Sequence, residues 1–555
     1  MKTERLIYLP LGGSGEVGMN AYVYGWGREG EERLILVDLG VTFPDMDGTP
    51  GVDLILPDIT WLKERADRLE AIFLTHGHED HIGALGHLWK ELRVPMHARI
   101  FTAALSRRKL EEQGGDSSAL NVADVWPAQV EAGPFRVGFL PVSHSIPESS
   151  ALVIDTPAGR VVHTGDFKLD GSPVVGEAFD PELWRSVAKD GIKALVCDST
   201  NIHNTHPGRS EATVGPNIRE LVAGASGMVV ATTFASNVAR VKTLAEAGIA
   251  AGRSVCLLGR AMQRMVAVSR ETGVVDDLPN FITAEEATDV PRESLMLIVT
   301  GSQGERRAAS AQLSRGKYLG LKMAEGDMFL FSSKTIPGNE AGVIQIMNNF
   351  SELGVDVVDD SSGDYHVSGH ANRPDLEAMH DLMRPSMLVP MHGEHRMLRR
   401  HAEVASAKGI PSVVAVNGTM LSLSGDAPEV IDHVETGRTY LDGSVLVGAL
   451  DGVVRGRMRM ALNGLVVLTV LLDENDAPLG DPWAEIMGLA ETGRSGAPLV
   501  ERIEEQTAAA IGRAENKTII DDDKLDELLR RSVRQVCAEE IGRKPEVIVV
   551  VSRLT

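Results

Sequence analysis

The stretch that most constrains this chain is Thr75-His76-Gly77-His78-Glu79-Asp80-His81. It follows an apolar run, Ala71-Ile72-Phe73-Leu74, and precedes a helical pattern over 82–92. Three histidines and an aspartate crowd into residues 76–81 of a chain that has only 16 histidines in 555 residues. A polar turn that gathered them by chance is a poor account of that density. Neutral imidazole and carboxylate are ligands of zinc and similar divalent ions. In an extended turn, alternate residues such as His76 and His78 can point at one ion, and Asp80 and His81 can reach a second close by. A buried strand that turns into a helix at this point predicts a layered α/β fold with a metal site at a sheet edge.

The rest of the chain bounds what that site can belong to. A length of 555 residues predicts more than one domain. No apolar run reaches the roughly 18 residues of a membrane span, and the start, Met1-Lys2-Thr3-Glu4-Arg5, does not read as a signal peptide. Cys197, Cys256 and Cys537 are few and far apart. They suit a reducing cytoplasm and give neither a disulfide framework nor a zinc ribbon. A formal charge of −23 argues against nonspecific nucleic-acid binding by the overall field, but leaves room for a local basic channel.

Near the start, Gly13, Gly15 and Gly18 match G-x-G-x-x-G, with Asp38 lying 20 residues beyond the last of them. A dinucleotide site needs a helix after those glycines. Instead residues 20–26 and 33–38 read as strands, so a meander replaces the nucleotide fold and the glycines make a tight turn. Asp38, at a strand end, can support the metal ligands. Asp45, Asp47 and Asp53 lie among glycines and prolines, where a separate calcium site is weighed and a solvated loop preferred. Strands at 135–142, 150–155 and 160–164 deliver His144 and Asp166, and an apolar strand ends at Asp198. His87, His97 and His163 are read as packed or supporting histidines, and His203 and His206 as solvent-facing. From about residue 209, strands and helices alternate as in a parallel sheet. The motif His366-Val367-Ser368-Gly369-His370-Ala371 follows, and then a strand carries His392. The last hundred residues read as a compact α/β end domain, whose acidic run Asp521-Asp522-Asp523 is expected to serve packing or oligomerisation.

The strand-end candidates are His76, His78, Asp80, His81, His144, Asp166 and His392. Two ions sharing a bridging carboxylate need about this many ligands, and such a pair activates water for hydrolysis. Together with Gly12–Asn20, Asp198-Ser199-Thr200-Asn201, Thr300–Glu305, Ile336–Glu340 and His366–Ala371, the pattern resembles the bacterial ribonuclease J family. That family belongs to the metallo-β-lactamase superfamily and its β-CASP branch.

The resemblance implies an αββα sandwich with an inserted β-CASP α/β domain and a small C-terminal α/β domain. It implies four segments: 1–208 and 372–455 as the two parts of the metallo-β-lactamase domain, 209–371 as the β-CASP domain and 456–555 as the end domain. It also implies a ribonuclease of RNA processing and decay, with 5′-to-3′ exonuclease and endonuclease activity. Two zinc ions per subunit are expected, one on His76, His78 and His144, the other on Asp80, His81 and His392, with Asp166 bridging; manganese or magnesium can support turnover. Asp198, His370 and His392 match the signature positions of the cap family. A histidine at the last, where DNA-directed relatives often have valine, favours RNA. The expected chemistry is in-line attack by a bridging hydroxide, with Asp80 in the catalytic set and His370, oriented by Asp198, donating towards the departing oxygen. Ser236, His366, Ser368, Gly369 and His370 match the family's pocket for a 5′-terminal phosphate. One departure, Ile202-His203 where relatives often carry alanine, touches nothing central. The family further implies a homodimer or homotetramer, RNA as the partner, association with other RNA-decay enzymes and no membrane. Three rivals are a small-ester hydrolase that shares the metal turn, a DNA nuclease of the same superfamily, and a non-catalytic scaffold of an RNA-degrading complex.

Overall fold

The computed structural model describes residues 4–45 and 47–554, so the opening Met1-Lys2-Thr3 of the start considered above lies outside them. The chain divides into two compact units. One holds the residues up to Thr42 together with Leu56–Gly437; the other holds Phe43–Ile55 and the chain from Arg438 onward.

In the first unit, strands Glu4–Gly12, Ala21–Arg28 and Arg33–Val37 pair antiparallel in succession. This is the meander expected from the sequence, and it rules out a helix after the glycine turn. A side chain at Gly13, where φ is +81°, would meet Asn20 Oδ1 at 2.1 Å and the Tyr22 hydroxyl at 2.4 Å, so only glycine fits there. The sheet continues in parallel through Leu69–Phe73, Met96–Ala98 and Leu120–Val122, and on its other side antiparallel through Thr419–Ser422 and Glu429–His433, giving eight strands. A second sheet of six strands runs in the order Leu388–Met391, Ala194–Asp198, Gly159–His163, Ser150–Thr156, Phe135–Pro141, Val130–Ala132.

Period-two alternation explains how the sheets pack. Leu6, Tyr8, Tyr22, Tyr24, Ile35, Val37 and Phe73 from the first sheet meet Val137, Phe139, Ile154, Val196 and Val389 from the second. The alternate residues of the second sheet, among them Val153, Val162, Leu195 and Cys197, face the helices Pro181–Ala188, Arg373–Met383 and His395–Ala407. One strand thus carries Cys197 towards the helices while its last residue, Asp198, sits at the sheet edge.

The inserted cap is a wholly parallel five-stranded sheet, in the order Ser254–Leu258, Leu295–Val299, Val229–Thr232, Met328–Phe331, Asp356–Val358. Its strands read as continuous apolar runs because both faces are covered. Some sequence boundaries shift. The helix after the metal turn is split into Glu79–Ile82 and Leu85–Leu92. The helix after strand Val229–Thr232 begins at Val238, where Asn237 caps it through the Arg240 N–H.

In the second unit, strands Trp483–Met487, Leu465–Leu472 and Glu546–Arg553 form a sheet. Helices Leu499–Gly512 and Asp522–Ile541 cover one face of it. Asp521 caps the second helix and Asp522 pairs with Arg553, so this part of the acidic run secures a helix start. Asp45 accepts from the Gly48 N–H and Asp53 from the Gly443 N–H at 2.8 Å. Both carboxylates serve loop backbone, and no metal-competent group forms at 43–57 among the described residues. None of the described helices is long and apolar enough to cross a membrane.

Candidate metal centre and its phosphate-side wall

The metal turn leaves strand Leu69–Phe73 at the sheet edge, and Asp38 leaves the neighbouring strand beside it. Asp38, with φ of +60°, accepts from the Thr75 N–H and hydroxyl, both at 2.8 Å. Its Oδ2 also lies 2.7 Å from His81 Nδ1. That contact turns His81 Nε2 inward, 3.2 Å from Asp166 Oδ2. Two more imidazoles are held from behind. His76 Nδ1 meets the Thr75 hydroxyl at 3.0 Å, and His144 Nδ1 lies 2.6 Å from the Gly369 carbonyl. Their Nε2 atoms both face His78 Nδ1, at 3.0 and 3.1 Å. An outer partner on each ring that frees the inner nitrogen is the usual support of a metal-binding histidine.

Two groups result. His76, His78, His144 and Asp166 offer converging ligand atoms, and so do Asp80, His81, Asp166 and His392, with Asp166 common to both. A third cluster, Asp166, Asp198, His370 and His392, adjoins them. His392 sits at φ +49°, a left-handed conformation that a non-glycine residue adopts at a cost of about 1–3 kcal/mol. The strain places its ring 3.3 Å from Asp80 Oδ2 and 3.4 Å from Asp166 Oδ1.

Electrostatics tests whether a metal fits. Asp38, Asp166 and Asp198 are buried, yet among the described residues no lysine or arginine pairs with them or with Asp80. Asp166 Oδ1 is buried without a hydrogen bond. Burial would lower His392, but Asp166, Asp198 and Asp80 more than offset it and push it up to about 10. His81 is likewise raised against its burial, by Asp166, Asp80 and Asp38. Burial meanwhile holds His76 and His144 well below the ordinary imidazole value and brings His78 down to about 4. His76, His78 and His144 are thus neutral donors, while protons on His81 and His392 offset carboxylates that have no lysine or arginine partner, a positive charge that a divalent cation can replace.

Sequence models of known families cover most of the chain. The metallo-β-lactamase superfamily matches residues 15–201, the ribonuclease J β-CASP domain 226–350, the Zn-dependent metallo-hydrolase RNA specificity domain 363–415 and the ribonuclease J C-terminal domain 452–554. The ribonuclease J of Sinorhizobium meliloti is 41% identical over 99% of this chain and 98% of its own length. This chain belongs to the ribonuclease J family. It has the metallo-β-lactamase fold with the inserted β-CASP domain, and it is a metal-dependent ribonuclease. The ribonuclease J of Mycolicibacterium smegmatis is 36% identical over 98% of this chain and 96% of its own length. A crystal structure of a protein of unknown function from Enterococcus faecalis V583 shares the fold, with a TM-score of 0.51 at 17% identity over 75% of this chain and 100% of that one.

The cap side of this ribonuclease J centre is built by residues 366–370. His370 Nδ1 lies 2.8 Å from Asp198 Oδ2, and its ring is 5.1 Å from that of His144. Burial opposes its charge, but Asp198 and Asp166 raise it above the ordinary value. The Ser368 hydroxyl accepts from Asn201 Nδ2 at 2.7 Å and from the His370 N–H at 3.1 Å, leaving its own hydrogen to donate. His366 Nδ1 is buried without a partner, and burial, then Arg240, Lys334, Lys168 and Arg209, bring this imidazole down to about 3. Of these cations, Arg240 is paired with Glu211 and Lys168 with Asp170, so the positive charge near His366 is carried chiefly by Arg209 and Lys334. Ser236 is half-buried in the turn before helix Val238–Ala250, and Arg240 of that helix donates to the Tyr365 carbonyl at 2.8 Å.

Three supporting residues were not singled out from the sequence. The Thr200 hydroxyl bridges Asp198 Oδ1 at 2.7 Å and His392 Nδ1 at 2.8 Å. Asn20 Nδ2 holds the Asp80 carbonyl at 3.0 Å, with the Tyr22 hydroxyl donating to Asn20 Oδ1 at 2.7 Å. Arg240 grips Glu211 with two nitrogens at 2.7 and 3.0 Å. Of the three, only Thr200 carries a sequence signal: in Asp198-Ser199-Thr200 an aspartate sits two residues before a threonine, the spacing of an Asx-turn. His203 and His206 are exposed, His87 and His97 half-buried, and His163 is packed against the Tyr24 hydroxyl at 2.9 Å.

Proposed function

We propose that this ribonuclease engages RNA by a 5′-terminal phosphate, removes nucleotides in the 5′-to-3′ direction, and also cuts internally. One observation carries the reading: the stretch 366–370 belongs to both parts of the site. Gly369 holds His144 through its carbonyl, while Ser368 on one side keeps a free donor hydrogen and His370 on the other pairs with Asp198. A phosphate bound by Ser368, His366, the Gly369 N–H and Ser236 would therefore sit at a fixed distance from the reacting bond. Fixed spacing between an end pocket and a cutting site is what successive release of nucleotides from one end requires. The neighbouring cations, chiefly Arg209 and Lys334, favour the phosphate's charge.

His76, His78 and His144 would hold one ion, and Asp80, His81 and His392 the other, with Asp166 between them. Zinc is the choice that suits imidazole and carboxylate ligands, with manganese or magnesium able to support turnover. When bound, the ions neutralise phosphodiester charge and lower the pKa of water. Asp198 keeps a proton on His370 Nδ1 and aims the opposite nitrogen outward, where His370 donates to the departing oxygen. Thr200 locks Asp198 and His392 in register, and Asn20 holds the backbone of Asp80. Boundaries at 208/209, 371/372 and 455/456 are proposed for the parts of the metallo-β-lactamase domain, the cap and the end domain, and a homodimer or homotetramer for the assembly.

The test offers the protein one RNA sequence with a 5′-monophosphate, a 5′-triphosphate or a 5′-hydroxyl. Mononucleotide release should be fastest from the monophosphate, while internal cutting should be indifferent to the end. Equal release from all three would remove the end-pocket reading.

A further inference from the structure

A second set of metal-competent side chains lies on the far face of the strand that carries Asp198. Cys197, the residue before it, points to the helix side of the six-stranded sheet. There it meets His380 of helix Arg373–Met383 and His401 of helix His395–Ala407. Each of the three offers a ligand atom, and these atoms all lie within 4.8 Å of one another. The residues are 0%, 1% and 0% exposed.

We propose that Cys197, His380 and His401 form a third metal site, separate from the catalytic pair, which takes a thiolate-binding divalent ion of the zinc class.

Four observations support it. The ligand set pairs a thiol with imidazoles, and thiolate with imidazole is a combination zinc and its analogues prefer over magnesium, calcium or manganese. The two rings share a hydrogen bond of 3.0 Å between their Nε2 atoms, so both nitrogens already face one another beside the Cys197 sulfur, where an entering ion would replace the shared proton. His401 has its other nitrogen fixed, with Nδ1 2.9 Å from the Ser199 hydroxyl, the outer support expected behind a ligating imidazole. Finally, His380 Nδ1 is buried and has no hydrogen-bond partner, so the cluster does not satisfy itself as a closed polar network. Burial keeps both imidazoles in the neutral form that binds metal, with His380 near 4 and His401 well below its usual value. Burial first, and then the Asp198 carboxylate, raise the Cys197 thiol, against which the Thr164 hydroxyl acts. Binding must therefore release the thiol proton to solvent as the ion enters. Loss of that proton leaves a net single positive charge on the ion and its thiolate, with the Asp198 carboxylate on the same strand to offset it.

The site would clip strand Ala194–Asp198 to the two helices. Its neighbours in the chain are the residues that set the reaction geometry: Asp198 follows Cys197, and the strand Leu388–Met391 that leads to His392 pairs with the same strand. The proposal does not rest on the reading of the phosphate pocket.

Cobalt(II) provides the test, because the catalytic ligands are only nitrogen and oxygen donors. Full-length protein stripped of metal and titrated with cobalt(II) should take up about three ions per chain and develop a near-ultraviolet sulfur-to-cobalt charge-transfer band. Cys197→Ser should lose the band and one ion per chain, and His380→Gln should weaken both. Cys256→Ser and Cys537→Ser should retain them. If Cys197→Ser fails to fold, the wild-type band and stoichiometry still decide. Two ions per chain with no sulfur band would overturn the proposal and leave Cys197, His380 and His401 as a metal-free buried cluster.

Discussion

At the scale of single residues, the centre works by having one atom of each side chain fixed so that the other is presented. Asp38 does this for His81, Thr75 for His76 and the Gly369 carbonyl for His144. Replacing Asp80 by Asn or His81 by Ala should reduce RNA cleavage by at least about 1,000-fold, with circular dichroism unchanged, since each removes a proposed metal ligand without opening a core. Retained activity in either variant would contradict the ligand assignment. Thr200→Val loosens Asp198 and His392 without touching an ion. It should lower kcat by roughly 10- to 100-fold, the cost of losing an outer partner, and leave the preference for 5′-phosphate unchanged. The candidate ligands of the turn stand out in the sequence because histidine is scarce and six residues concentrate three of them. Asn20 does not, because Asp80 lies 60 residues away, and for Thr200 only the local turn with Asp198 is readable, its link to His392 spanning 192 residues.

His163 gives the residue scale a pH signature. Burial first, and then His81, hold it neutral down to about 3, against an ordinary value near 6.5. Above about pH 6.5 both folded and unfolded chains carry it neutral, and its contribution to stability is complete. As the pH falls below that, the unfolded chain binds a proton that the folded one refuses. Stability is then lost at about 1.4 kcal/mol per pH unit, or about 3 kcal/mol by pH 4. In chelator, so that metal release does not intervene, His163→Gln should show a shallower fall in melting temperature between pH 6.5 and pH 4 than the wild type. Parallel curves would mean the imidazole is already charged in the fold.

At the scale of elements, two joints hold the cap side of the site. Arg240, fully buried, ties helix Val238–Ala250 to Glu211, to the Ser332 carbonyl at 3.0 Å and to the Tyr365 carbonyl at 2.8 Å. Arg240→Met should destabilise by roughly 3–5 kcal/mol, because Glu211 is left buried and unpaired, and adding Glu211→Gln should recover part of the loss in thermal unfolding. The second joint is Gly369, where a side chain would stand 2.8 Å from His144 Cε1. Gly369→Ala should therefore weaken metal retention as well as activity, whereas Ser368→Ala should slow digestion from a 5′-monophosphate end more than internal cutting. Most strands were legible as elements, since their apolar alternation or continuous apolar runs follow directly from one or two covered faces. The exceptions have physical reasons. Helix Val453–Asn463 buries only Val454, so it leaves no apolar stripe to read. Residues 233–237 form a turn, and the helix starts only at Val238, where the Asn237 side chain accepts from the Arg240 N–H.

At the scale of the whole molecule, candidate ligands from the turn at 75–81, from two strands of the second sheet and from beyond the cap meet at one edge, although 316 residues separate His76 from His392. That convergence depends on the sheet order and not on any local signal. It was legible only because the run at 75–81 and the later motifs together resembled one family. The charge of −23 does not describe the neighbourhood of His366, where Arg209 and Lys334 stand beside the internally paired Lys168–Asp170 and Arg240–Glu211. The central claim is that the metal centre and the stretch 366–370 act as one RNA-cutting site. Its most direct test is mononucleotide release from a 5′-monophosphorylated strand, made either as RNA or as DNA of the same sequence, with and without chelator. Release from RNA that chelator abolishes and added zinc or manganese restores is the result expected; equal digestion of DNA, or digestion that survives the chelator, would contradict it.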